Sequence, residues 1–195
     1  MNKLTRRAAA IILSAGFALA AGTAAAAGEK APRVKFATSM GDFVVEVYPD
    51  KAPKTVENFL TYVKAKHYDG TIFHRVIGHF MIQGGGYTEA YNQRPTRPPI
   101  QHEGVKVKNT VGTIAMARTS DPNSATAQFF INVADNPSLD GNERDPVGYV
   151  AFGKVVSGMD TVNKIKAVPT GAGGPFRTDV PKTPVVIKSA TLVSP

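Results

Sequence analysis

Residues 71–86 read Thr-Ile-Phe-His-Arg-Val-Ile-Gly-His-Phe-Met-Ile-Gln-Gly-Gly-Gly. Short apolar runs here carry one guanidinium (Arg75), one aromatic ring (Phe80), one thioether (Met81) and one amide (Gln83). The stretch has no nucleophile, no carboxylate pair and no metal-ligand cluster. Its chemistry is therefore non-covalent. An apolar surface can hold a ring, and N–H groups beside it can donate to a carbonyl.

Strand alternation puts Phe73, Arg75 and Ile77 on one expected face, with Ile72, His74 and Val76 on the other. Met81 and Gln83 share a face in the same way, as do Gln128 and Phe130 in Ala-Gln-Phe-Phe-Ile. Two strands, each with a Gln beside an apolar anchor, are suited to line a shallow groove. The same pattern also fits core filling by Phe and Met with Gln at the edge, and an Arg75 whose stem covers apolar surface while its head meets water. His74 and His79 lack the spacing and the Cys partners of a zinc site. His67 and His102 lie in polar stretches and read as surface residues. Gly84-Gly85-Gly86 lacks the strand-to-helix setting of a phosphate loop and reads as a flexible turn. No nucleophile-elbow pattern is present.

The elements that must position these groups are mostly short strands. Arg33–Ser39 and Asp42–Tyr48 flank a Met40-Gly41 turn. Val56, Phe59, Leu60 and Val63 form one helical stripe after Pro53, which the first turn of a helix tolerates. Further strands are expected over 72–77, 80–83, 113–117, 127–133, 149–156 and 185–193, and a short helix over 159–166. Residues 87–109 form a long polar, Pro-rich loop, and 170–184 a Gly/Pro-rich one. About eight strands and two helices without βαβ alternation favour a closed antiparallel barrel over an open parallel sheet.

The chain has 195 residues, 43% apolar and 19% charged, enough for one domain with its own core. Residues 1–27 differ from the rest. Lys3, Arg6 and Arg7 precede an Ala-rich apolar stretch and a small-residue exit, the pattern of a cleaved export signal. Cleavage is expected after Ala26 or Ala27, leaving an exported domain over 28–195 without stable membrane association. Arg6-Arg7 is followed by Ala8, Ala9 and Ala10, which favours the general secretory route over the twin-arginine one. With no Cys, neither a disulfide nor a lipid-modified cysteine is available. The formal charge of +8 overstates the basicity of the mature domain, because three cations belong to the signal. The remaining Lys and Arg are scattered, which argues against a nucleic-acid partner.

Five linked motifs resemble the cyclophilin family of peptidyl-prolyl cis-trans isomerases: Phe-His-Arg-Val-Ile at 73–77, Phe-Met-Ile-Gln-Gly-Gly at 80–85, Gly-Thr-Ile-Ala-Met-Ala at 112–117, Gln-Phe-Phe-Ile at 128–131 and Phe-Gly-Lys-Val at 152–155. Order and spacing agree from about Val34 to Val193. The export signal and Ile-Asn-Val-Ala-Asp-Asn at 131–136 resemble the bacterial periplasmic branch. The resemblance implies an eight-stranded antiparallel barrel capped by two helices, acting on proline-containing peptides and unfolded exported proteins as a monomer with no cofactor or metal. It gives Arg75 the place of the catalytic arginine and Phe80, Met81, Phe130 and Leu139 the proline pocket. Gln83 and Gln128 take the groups that hold the substrate backbone. Ala117, Arg118 and Thr119 take the segment that pairs with the peptide. Three positions depart from the family pattern: Arg118 stands for a common Asn, Ser138 for the pocket tryptophan and Tyr149 for the pocket histidine. The last two imply weak binding of cyclosporin-like macrocycles. A proline-binding chaperone or adaptor with incidental turnover is the alternative.

Overall fold

Alternating apolar residues place Val34, Phe36, Phe43, Val45 and Val47 on one side of a hairpin formed by β1 (Arg33–Thr38) and β2 (Gly41–Val47). The computed structural model describes residues 31–194, so the expected export signal lies outside the described residues. Helix α1 (Pro53–Lys64) follows, with Val56, Phe59 and Val63 buried as the stripe required and Leu60 partly buried. Next come β3 (Thr71–Ile77), β4 (Met81–Thr88), β5 (Thr113–Met116), β6 (Phe129–Asn132), β7 (Ala151–Ser157), α2 (Met159–Lys166), β8 (Thr170–Gly173), β9 (Phe176–Pro181) and β10 (Val186–Val193).

Eight strands close into a barrel in the order β1-β10-β3-β4-β6-β5-β7-β2, each neighbouring pair antiparallel. Closure leaves none of them with a free edge. Phe36, Phe59, Tyr68, Phe129 and Phe152 meet inside the barrel, with Phe36 and Phe43 stacked at 4.9 Å. Phe59 of α1 and Val162 and Ile165 of α2 belong to the same core. Each fully buried Phe contributes about 1.5–3 kcal/mol.

Three features depart from the sequence reading. Residues 170–181 form a two-stranded hairpin, β8–β9, rather than irregular loop. Gly and Pro hid it because they carry no strand signal. The glycine triplet is not a flexible turn but the middle of β4. Gly85 has φ +85°, and a Cβ there would lie 2.8 Å from Tyr68 Cε1 and 3.0 Å from Phe129 Cε1. Core rings therefore approach the backbone too closely for any side chain. Finally, His67 is buried rather than exposed, edge-on to Tyr62 at 4.6 Å and with Nε2 3.2 Å from the Gly85 carbonyl.

Candidate functional site

The site forms on the outer face of the barrel wall, where β3, β4, β6, β5 and β7 lie side by side. In β6, Phe129 and Ile131 point into the core, so Phe130 and Asn132 must point out. Phe130 is opposed by Gln83 on β4 and by Ala115 on β5, and Ala115 in turn by Ala151 on β7. Met81, Phe130 and the two alanines make a second apolar cluster separate from the barrel interior. Small Ala115 and Ala151 leave space above the strands, and Phe80, Ala117, Leu139 and Tyr149 pack around it.

Arg75 reaches this face through an irregularity that alternation could not anticipate. Phe73 opposes Gly84 and Arg75 opposes Gln83, so two steps on β3 match one on β4. This β-bulge rotates the strand locally. Phe73 and Val76 are in the core, while Arg75 is exposed and Ile77 joins the outer cluster. The expectation that Phe73 and Arg75 share a face is thus corrected. Among the described residues the Arg75 guanidinium has neither a hydrogen-bond acceptor nor a carboxylate partner.

The resulting cup, of about 110 Å³, is lined by Arg75, Phe80, Met81, Gln83, Ala117, Arg118, Phe130, Leu139 and Tyr149. That is small beside the roughly 300–1,000 Å³ of drug-sized sites and suits one ring. Two of the expected residues stand outside the lining. Gln128 lies in the adjoining groove and accepts from Gln83 Nε2 through Oε1 at 2.9 Å. Gly86 makes this possible, since a Cβ there would meet the Gln128 side chain at 2.6 Å. Thr119 is exposed and bonded through its backbone N–H and hydroxyl to Ser124 Oγ, both at 2.8 Å. Ser138 is exposed and also absent from the lining.

Arg118 is a wall rather than a free cation. Its side chain is 4% exposed and paired with Asp145. It donates to the Gly148 carbonyl from Nε at 3.1 Å and Nη2 at 2.7 Å, and to its neighbour's carbonyl at Thr119 from Nη1 at 2.9 Å. The guanidinium carbon sits 4.3 Å from the Tyr149 ring centroid, and Tyr149 meets Phe130 edge-on at 5.7 Å. Burial works to raise the Asp145 pKa, but hydrogen bonds from Arg118 and Gly148 outweigh it and hold the carboxyl below its usual value. His102, expected on the surface, is half-buried and supports the same carbonyl. The Gly104 N–H donates to its Nδ1 at 3.0 Å, so Nε2 carries the proton and donates to Gly148 O at 3.2 Å.

A buried asparagine chain behind the cup escaped the sequence reading. Asn109 Nδ2 donates to the carbonyls of Leu139 (3.2 Å) and Tyr149 (3.1 Å) and to Asp140 Oδ1 (3.0 Å). Asn132 Nδ2 donates to Asn109 Oδ1 and Thr113 Oγ1, and Asn136 Nδ2 to Asn132 Oδ1 and the Phe80 carbonyl. Three lining residues from three separate segments are thereby tied to one network. The only signal available was the polar Asn132 and Asn136 within the 131–136 motif.

Residues 33–192 match the family model described as cyclophilin type peptidyl-prolyl cis-trans isomerase/CLD. The chain is 53% identical over 163 residues to peptidyl-prolyl cis-trans isomerase cyp18 of Streptomyces antibioticus, covering 82% of this chain and 98% of that protein. It is 52% identical over 162 residues to peptidyl-prolyl cis-trans isomerase B of Escherichia coli (strain K12), again covering 82% and 98%. Among solved structures, a Cryptosporidium parvum cyclophilin type isomerase crystallised in the presence of the dipeptide Ala-Pro superposes with TM-score 0.68 at 28% identity, covering 84% of this chain and 99% of that one.

Proposed function

Since the chain belongs to the cyclophilin-type peptidyl-prolyl cis-trans isomerase family and is an isomerase of proline-containing peptides, we propose that Arg75 stabilises the half-rotated X–Pro amide while the apolar cup seats the pyrrolidine ring. The observation that carries this reading is an unpartnered guanidinium at the rim of a ring-sized apolar cup, directly across the strand ladder from Gln83.

The amide resists rotation because its nitrogen lone pair is delocalised into the carbonyl, a barrier of about 18–20 kcal/mol. At the half-rotated state the lone pair is localised on nitrogen. Arg75 donates a hydrogen bond to that nitrogen or to the prolyl carbonyl. The bond strengthens as charge localises, so it favours the transition state over either ground state. Phe80, Met81, Phe130 and Leu139 grip the ring while the preceding carbonyl swings. Gln83, held by Gln128, orients Arg75 or the peptide, and exclusion of water from the cup strengthens each polar contact. No bond is made or broken. A charged hydrogen bond contributes about 1.5–3 kcal/mol net, one to two decades in rate at about 1.4 kcal/mol per decade. The ring clamp and preorganisation supply the rest.

Isomerisation of a short Ala-Pro peptide by wild type and Arg75→Ala tests this. The variant is expected to lose at least about tenfold in kcat/KM with unchanged thermal melting. Unchanged turnover in a folded variant would remove Arg75 from the mechanism. Peptide binding without turnover in the wild type would favour a proline-binding adaptor instead.

The basic, Ala-rich and small-residue pattern of residues 1–27 supports an enzyme exported to the periplasm, where unfolded exported proteins are its clients and Ala26 or Ala27 ends the removed segment. Sequencing the N-terminus of the protein recovered from a periplasmic fraction tests that placement. An intact Met1 terminus on a cytoplasmic protein would refute it.

A further inference from the structure

The β8–β9 hairpin contributes nothing to the cup, yet it borders the same groove. Past Gln83 the cup opens into a recess of about 550 Å³ whose far wall is Pro175–Asp179. Phe176 latches the hairpin down. Its ring lies 5.4 Å from His74, 5.1 Å from Tyr87 and 6.4 Å from Tyr91. His74 is 3% exposed and immediately precedes Arg75, so the hairpin is held against the strand that carries the rim guanidinium.

The recess collects positive charge. Arg75 lines one wall and Arg177 another, and among the described residues neither guanidinium has a hydrogen-bond or carboxylate partner. Arg118 also borders the recess, but Asp145 neutralises it. The carboxylate on the lining is Asp179, half-buried and already accepting from the Thr178 hydroxyl at 3.0 Å. Two unpaired cations against one occupied carboxylate leave a local excess of positive charge, which a groove with low-dielectric walls focuses.

Resting on the isomerase reading above, we propose that this recess is a second substrate subsite, in which Arg177 selects peptides bearing an acidic side chain near the isomerised proline. The hairpin then ranks clients by charge while the cup does the chemistry.

Matched peptides that differ only by Glu or Lys beside an Ala-Pro unit, placed in turn on each side of it, test the proposal on wild type, Arg177→Gln and Arg177→Glu. At low salt the wild type is expected to favour Glu over Lys by about two- to fivefold in kcat/KM on one of the two sides, the size of an exposed ion pair. The difference is expected in KM and shrinks as salt screens it. Arg177→Gln removes the preference and Arg177→Glu inverts it. A wild-type ratio of one on both sides, or a ratio unaltered in Arg177→Glu, overturns the subsite. Calorimetric binding of the same peptides yields the ratio without turnover. A neutral Ala-Pro peptide reports the isomerase reading separately, so the two failures are told apart.

Discussion

Arg75 and Gln83 oppose each other across the β3–β4 ladder, immediately after the bulge that separates Arg75 from Phe73. Gln83 in turn is fixed by Gln128 from the segment leading into β6. The guanidinium is therefore flanked by an amide pair that spans two strands, and its own donors remain free.

That amide pair is expected to matter for turnover and little for stability, because both side chains are partly exposed. Gln128→Ala removes one neutral hydrogen bond, contributing about 0.5–1.5 kcal/mol, and is expected to lower kcat/KM about two- to tenfold. Gln83→Ala loses more, since it also clears the position facing Arg75. Peptide isomerisation alongside thermal melting reads both. Wild-type kcat/KM in Gln128→Ala would show that the pair positions nothing.

The wall built from Arg118, Tyr149 and Phe130 predicts a different kinetic signature. Arg118→Ala strips the cation from the Tyr149 face and leaves Asp145 unpaired. The cup loosens while Arg75 stays in place. KM is expected to rise several-fold with kcat within about twofold. A fall in kcat at constant KM would contradict a wall role.

Asn109 holds the Leu139 and Tyr149 carbonyls and accepts from Asn132. In Asn109→Ala these buried groups lose their partner at once. A stability loss of about 2–4 kcal/mol is expected in urea unfolding, together with weaker binding of Ala-Pro peptides as the cup walls shift. A loss below about 1 kcal/mol would mean that water replaces the amide.

His74 gives a pH dependence whose sign follows from its burial. Burial, aided by the neighbouring Arg75 charge, pushes its pKa down to about 4. An unfolded His titrates near 6.5, so between those values the unfolded chain binds more protons. Stability is then complete above about pH 6.5 and falls as pH drops toward 4, by on the order of 3 kcal/mol. His67 and His102, also lowered by burial, act in the same direction. Denaturation midpoints from pH 7.5 to 4.5 should fall less steeply in His74→Phe than in wild type. Equal slopes would exclude His74 as the source.

Much of the molecule was legible because side-chain period reports burial. Alternation in Ala-Gln-Phe-Phe-Ile separates Phe130 from Phe129 correctly, and the Val56-Phe59-Val63 stripe marks the buried face of α1. The linked motifs contain six of the nine residues that the fold gathers into one cup, and the family resemblance supplied the other three, Arg118, Leu139 and Tyr149. Illegible were features set by contacts distant in sequence. The hairpin over 170–181 is a strand pair in which Gly171, Gly173, Gly174, Pro175 and Pro181 mask the Phe176-Thr178-Val180 alternation. The asparagine chain links positions 109, 132 and 136. The pairing of Arg118 with Asp145 and the Gly148 carbonyl joins positions that no motif links.

The sequence by itself determined the family, the barrel and the residue types available for non-covalent amide rotation, because local periodicity and linked motifs are written along the chain. Only the tertiary structure decided where Arg75 points and what remains free to meet a substrate. A bulge reverses the face of a strand without changing its composition, and a guanidinium is available or occupied according to partners that folding brings from elsewhere.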